Sequence, residues 1–161
     1  MNRKLALFLA KLAVFSAVLC YIWFKGLQEA YPEFLSPIAI HIFAWFGAKK
    51  WLLFLLMDHF TNMIPFIALV AATPLFFVRW RKTLTVVLIG LATMVVLHLA
   101  ISIVFYHFYE AYGFSETFYK LTVPVYLIND ALPFVLWILF YHGMLGELFG
   151  FRKGVRLLEP A

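Results

Sequence analysis

Leu84 to Tyr106, LTVVLIGLATMVVLHLAISIVFY, runs for 23 residues without an Asp, Glu, Lys or Arg. As a helix it covers roughly 34 Å at about 1.5 Å per residue, enough to cross ~30 Å of hydrocarbon. The cluster Arg79-Trp80-Arg81-Lys82 stops it at one end, and the aromatic group Phe105-Tyr106-His107-Phe108-Tyr109 stops it at the other. Charge-free length followed by basic and aromatic flanks is the pattern of a membrane crossing.

Three further runs lie on either side. Leu5 to Phe24, about Phe60 to Val78, and Leu121 to Tyr141 each reach crossing length, the last with Asp130 inside it. The whole chain is 65% hydrophobic and 13% charged, against about 45–50% and 25% in soluble domains. A soluble globule of 161 residues could not bury that much apolar surface. These features predict an all-α, polytopic transmembrane helical bundle of about four spans, forming a single membrane domain over residues 1–161.

Arg3-Lys4 ahead of Leu5 to Phe24 has the outline of a cleaved leader. The apolar run is about 20 residues long, however, and bulky Tyr21-Ile22-Trp23-Phe24 stands where a small-residue cleavage site would be needed. It reads as a retained span, with Lys11 able to snorkel toward headgroups. Cys20 is the single cysteine, which excludes an intrachain disulfide and suits a small buried hydrophobe.

Between spans one and two the pattern breaks. Ile38 to Gly47 and Trp51 to Met57 are each too short to cross, and Lys49-Lys50 separate them. A lysine pair at the bilayer centre would cost several kcal/mol. Residues 38–57 are therefore expected as interfacial or re-entrant short helices, with one continuous tilted span as the alternative, and Pro32 and Pro37 as the loop leading in.

Basic residues set the orientation. With the amino terminus inside, the cytoplasmic side holds Arg3, Lys4, Lys11, Arg79, Arg81, Lys82, Arg152, Lys153 and Arg156, leaving Lys25, Lys49, Lys50 and Lys120 outside. That asymmetry predicts both termini in the cytoplasm, most naturally of a bacterial inner membrane. The tail 143–161 then becomes a basic, cytoplasmic, membrane-surface segment. The net charge of +5 is accounted for by topology, and no nucleic-acid partner is expected.

Ionisable and amide side chains inside spans are costly, and so mark candidate sites. On span two, Asp58, Asn62 and Pro65 share a helix face, with His59 and Thr61 beside them. Span three contributes His98 and Ser102. Span four contributes a stripe of Thr122, Tyr126, Asn129 and Pro133, with Asp130 adjacent. In the predicted orientation all of them fall in the outer half of the bilayer.

Three readings of this candidate polar cleft stay open. His98 and Asp130 could cross-link helices, the group could line an outward-facing cleft, or a His98–Asp130 pair could act as an oriented base or proton relay. Two-histidine haem ligation fits poorly, because only His98 among the five histidines lies well inside a span. H-E-x-x-H zinc spacing, a serine-nucleophile elbow and a phosphate-binding glycine loop are absent. No catalytic residue, metal or cofactor is assigned.

The order of features resembles the exosortase and archaeosortase family from about Leu5 to Gly143. The features are a first span, a short-helix region outside, a polar mouth entering span two, the turn Trp80-Arg81-Lys82, a polar residue late in span three, and an aromatic outer loop. Members of that family are integral-membrane cysteine transpeptidases that sort proteins carrying a carboxy-terminal anchor segment, using a Cys, an Arg and usually a His. Here the corresponding stretches read His59-Phe60-Thr61-Asn62-Met63, His98-Leu99-Ala100-Ile101 and Lys120-Leu121-Thr122, without that set. Met63 has no proton to lose, and Thr61 would need an adjacent base.

The resemblance therefore implies a degenerate, non-catalytic member, similar to the accessory membrane proteins encoded beside some exosortases. Its partners would be the lipid bilayer and another membrane protein or transmembrane segment. Two other readings are a membrane enzyme or proton-coupled carrier using His98 and Asp130, and a structural subunit of a respiratory or photosynthetic complex.

Overall fold

The computed structural model describes residues 3–49, 57–73 and 80–148, and every regular element among them is helical. The helices are α1 (Arg3–Ile22), α2 (Gln28–Trp45), α3 (Met63–Ala72), α4 (Trp80–Tyr112) and α5 (Glu116–Leu148). A 3₁₀ turn, Met57–Asn62, leads into α3. The architecture is an all-α bundle, as the apolar runs predict.

The first run does not end at Phe24. α1 and α2 form one bent rod joined by a wide turn, Trp23–Leu27, in which Gln28 N–H bonds back five residues to Trp23 O and Gly26 leaves helical geometry at φ 161°. Such a turn bends a helix while keeping its backbone groups bonded. Pro32 and Pro37 lie inside α2, which corrects their reading as a loop. It also places Ile38–Trp45 on the same rod rather than in a separate interfacial helix. Proline removes a donor and crowds the carbonyl four residues back, and neighbouring helices in a bundle can absorb that defect.

α2 stops at Gly47, whose φ of 67° suits a residue without a side chain. Ala48 N–H bonds to Phe43 O and Gly47 N–H to Ala44 O, the paired bonds of a Schellman end. The second short apolar piece, from Trp51, lies mostly outside the described residues.

α3 is the centre of the bundle. Eight of its ten residues are buried, among them Phe66, Leu69 and Val70, as expected of a helix apolar all round. It packs against α1, α4 and α5. A Cβ at residue 90 would overlap the Phe66 ring, so glycine there lets α3 and α4 approach closely. Trp137 Nε1 donates to Thr73 Oγ1 at 3.1 Å, just past the end of α3, and Phe8 stacks on Trp137 at 5.5 Å.

α4 and α5 form an antiparallel pair. Gly113, at φ 58°, accepts the left-handed turn, and its N–H bonds to Tyr109 O at 2.7 Å. Ser115 Oγ then caps α5 by accepting from Phe118 N–H at 3.3 Å. Both helices outrun the predicted limits 84–106 and 121–141. α5 continues to Leu148, into the stretch read as a tail, whose remainder lies outside the described residues.

Three described helices are long and apolar enough to cross a membrane: Arg3–Trp45, Trp80–Tyr112 and Glu116–Gly143. By length and composition the chain is thus a helical membrane protein with three candidate crossings among the described residues, where the sequence predicts about four. The predicted second span, 60–78, is represented by the ten residues of α3, about 15 Å long, and 74–79 lie outside the described set. Two clusters divide the core. One gathers Phe8, Phe66, Val86, Met94 and Trp137; the other gathers Trp23, Leu35, Phe43, Phe60, Leu99 and Phe105. The polar residues meet where they join.

Candidate functional site

His98, at 0% exposure, sits on α4 against the bent rod and the 3₁₀ turn. Its Nε2 lies 2.8 Å from Asn62 Oδ1, and its Nδ1 lies 2.8 Å from the Tyr31 hydroxyl. Asn62 Nδ2 reaches Asn129 twice, at 2.8 Å to Oδ1 and 3.0 Å to the backbone O. Phe60 stacks flat on the imidazole, with ring centroids 4.3 Å apart, and Tyr31 meets it edge-on at 5.7 Å.

The backbone oxygen of Asn129 fixes every proton in this chain. A carbonyl only accepts, so the group that Asn62 turns toward it must be its NH₂. Asn62 Oδ1 then faces His98, and Nε2 must carry the hydrogen that it accepts. Nδ1 is left bare and accepts from the Tyr31 O–H. Asn129, having used Oδ1 as an acceptor, turns its own NH₂ toward Asp130 Oδ1 at 3.4 Å. The donors thus run in one direction, from Tyr31 through His98, Asn62 and Asn129 to Asp130.

Each residue owes its place to a local feature. The bent rod brings Tyr31 across to α4, the 3₁₀ turn aims Asn62 inward, and α5 presents Asn129, which is 1% exposed. Ser102 is fully buried, but its Oγ bonds back to His98 O at 2.8 Å within α4. Thr61 is half-buried at the rim. Asp58 and His59 belong to the 3₁₀ turn, and their side chains lie outside the described set. Of the candidate residues, Asn62, His98 and Asn129 are brought together in the interior.

His98 and Asp130 do not pair. Both imidazole nitrogens are taken by Tyr31 and Asn62, and Asp130, one residue from buried Asn129, turns to the exposed side of α5. Consecutive helical residues point about 100° apart, so one can face the core and the next the surroundings. Residue 130 stands 14 residues from one end of the Glu116–Gly143 crossing and 13 from the other. A charged side chain at such a midpoint costs about 2.5–3.5 kcal/mol on insertion scales.

Chemically the chain is a cross-link. Passing a proton through Asn62 would force its amide into the imidic acid form, so the bonds do not form a proton wire. They join the bent rod, the 3₁₀ turn, α4 and α5, each interhelical bond contributing about 0.6 kcal/mol on average and up to about 1.7 in membranes. Among the described residues, no three His, Cys, Asp or Glu side chains gather as a metal site would need.

Tyr31 and Phe60 were not singled out from the sequence. The signal for Tyr31 was present, since Tyr31, Leu35, Ala39 and Phe43 recur every four residues and so form one helical face. The prolines at 32 and 37 hide it. Beside Tyr31 an apolar groove of about 430 Å³ opens between the bent rod, α3 and α4, lined by Leu19, Trp23, Phe34, Ile64, Ile67 and Leu91.

No protein family, no curated protein and no solved structure matches the chain.

Proposed function

We propose that this chain is a non-catalytic, exosortase-like accessory or scaffold subunit of a bacterial inner membrane. With residues 60–78 taken as the fourth crossing, both termini lie in the cytoplasm, and the protein holds a partner's transmembrane segment at an outward-facing polar cleft. Asn62, His98 and Asn129, all buried, brace the helices behind that cleft, and Asp130 is the member of the chain that reaches the exposed side of α5.

The observation that supports this reading best is the one-way hydrogen-bond chain. It commits both nitrogens of His98 to neighbours, which suits a framework better than a base that must exchange a proton. The stretch His59 to Met63, without a thiol, agrees with a supporting role. The basic-residue asymmetry supports the orientation.

Extraction of native membranes with a mild detergent tests the proposal. A stoichiometric complex with a second membrane protein is the expected result. A lone, monodisperse, partner-free monomer overturns it.

A further inference from the structure

We infer that the exposed face of α5 centred on Asp130 docks one transmembrane helix of another protein, and that this helix carries a basic side chain at mid-span. The inference rests on the scaffold reading above and names the partner's chemistry.

Val123, Leu127, Phe134 and Ile138 are 53%, 64%, 50% and 47% exposed. Together with Asp130 they are spaced by four, three, four and four residues, which places all five on one side of the helix. The stripe is apolar except at its centre. There a carboxylate stands about 20 Å along the helix from either end of the crossing.

Nothing described in this chain neutralises that carboxylate. Its hydrogen bond from Asn129 Nδ2 is long, at 3.4 Å, and leaves most of its acceptor capacity open. Lys120, the nearest base on α5, is ten residues away and bonded to Glu116 at 2.7 Å. α4 has no Lys or Arg between Lys82 and Tyr112. A carboxylate in hydrocarbon is retained when an opposite charge or donor meets it.

Depth and symmetry narrow the occupant. A lipid headgroup lies roughly half a bilayer, about 15 Å, from the midplane, so it cannot supply the cation. A second copy docking through the same face would be isologous and would set Asp130 against Asp130. A foreign helix with a mid-span Arg or Lys satisfies the carboxylate while its apolar residues cover the stripe.

The test uses the full chain in lipid nanodiscs and synthetic poly-leucine helices of about 20 residues. These carry Arg at the midpoint, Arg two turns from it, or Leu throughout, and binding is read by energy transfer. The mid-span Arg helix should bind wild type at least tenfold more tightly than the other two. Asp130→Asn, nearly isosteric, and Asp130→Leu should remove that preference, and Asp130→Arg should transfer it to a helix with a central Glu.

Equal binding of the three peptides to wild type overturns the inference, as does a preference that survives Asp130→Leu. Energy transfer between differently labelled copies of wild type, lost in Asp130→Leu, also overturns it in favour of self-association. A native partner that co-purifies equally with wild type and Asp130→Leu leaves the scaffold reading standing and removes the role of Asp130. Absence of a native partner with either protein removes the scaffold reading itself.

Discussion

Asn62 and Asn129, 67 residues apart in sequence, are joined side chain to side chain at 2.8 Å. The same Asn62 amide reaches the Asn129 backbone oxygen at 3.0 Å. Because a backbone carbonyl cannot donate, this double contact sets the direction of every other hydrogen bond in the buried chain.

Asn62→Leu should destabilise the protein by about 1–3 kcal/mol, since it strands the His98 Nε2–H and the Asn129 oxygen in a dry interior. Asn129→Leu should cost less, since it removes the Oδ1 acceptor but keeps the backbone oxygen to which Asn62 Nδ2 also donates. The double variant should cost less than the sum, because either single change already breaks the side-chain bond between the two amides. Unfolding titrations of all four proteins in mixed micelles measure the coupling, and strict additivity would contradict the geometry.

The imidazole of His98 should carry its single hydrogen on Nε2. Nitrogen-15 spectra of histidine-labelled protein should show Nδ1 as a bonded acceptor in wild type. Tyr31→Phe keeps the ring contacts with Phe60 and His98 but removes the donor. The Nδ1 signal should shift and stability should fall by about 0.5–1.5 kcal/mol. An unmoved signal would mean that Tyr31 does not bond the ring.

Gly90→Ala should be destabilising by about 1–3 kcal/mol through overpacking against Phe66. Phe66→Leu alone should also destabilise, by opening a cavity at the centre of the bundle. Combined with Gly90→Ala, it should restore part of the loss by removing the clashing ring. Melting midpoints in detergent distinguish this compensation from two independent losses.

Trp137→Phe keeps an aromatic ring for Phe8 to stack on but removes the donor to Thr73. The expected cost is about 1 kcal/mol, with protease resistance at the end of α3 reduced. Thr73→Val should give a similar loss, and the two changes together should add little beyond either one.

The all-α class and the three long apolar helices were legible because length and freedom from charge do not depend on tertiary context. Helix faces were legible too, since Asn62, His98 and Asn129 emerged as candidates from spacing and depth, and they do meet. The pairing of His98 with Asp130, one of the readings left open, is not found. Asp130 looked like the natural partner of His98 because charge attracts, yet one step along a helix separates a core position from an exposed one.

The bent rod was hidden by a local rule. Pro32 and Pro37 argue for a loop in isolation, and only packing against α3 and α4 shows that the helix continues through them. Tyr31 was lost with that segment. The extent of α3 was equally obscured, because Phe60 to Val78 reaches crossing length by hydropathy, although Thr73-Pro74 within it marks where the described helix stops.

The 67-residue separation also makes the buried amide chain a clock during synthesis. At about 5–20 residues per second, Asn62 waits roughly 3–13 s for Asn129 to be made. Throughout that interval its NH₂ lacks the Asn129 acceptors, while its Oδ1 can pair with His98 as soon as α4 is made. Arrival of α5 supplies those acceptors, so the bond that fixes the finished protein also distinguishes a completed chain from a truncated one.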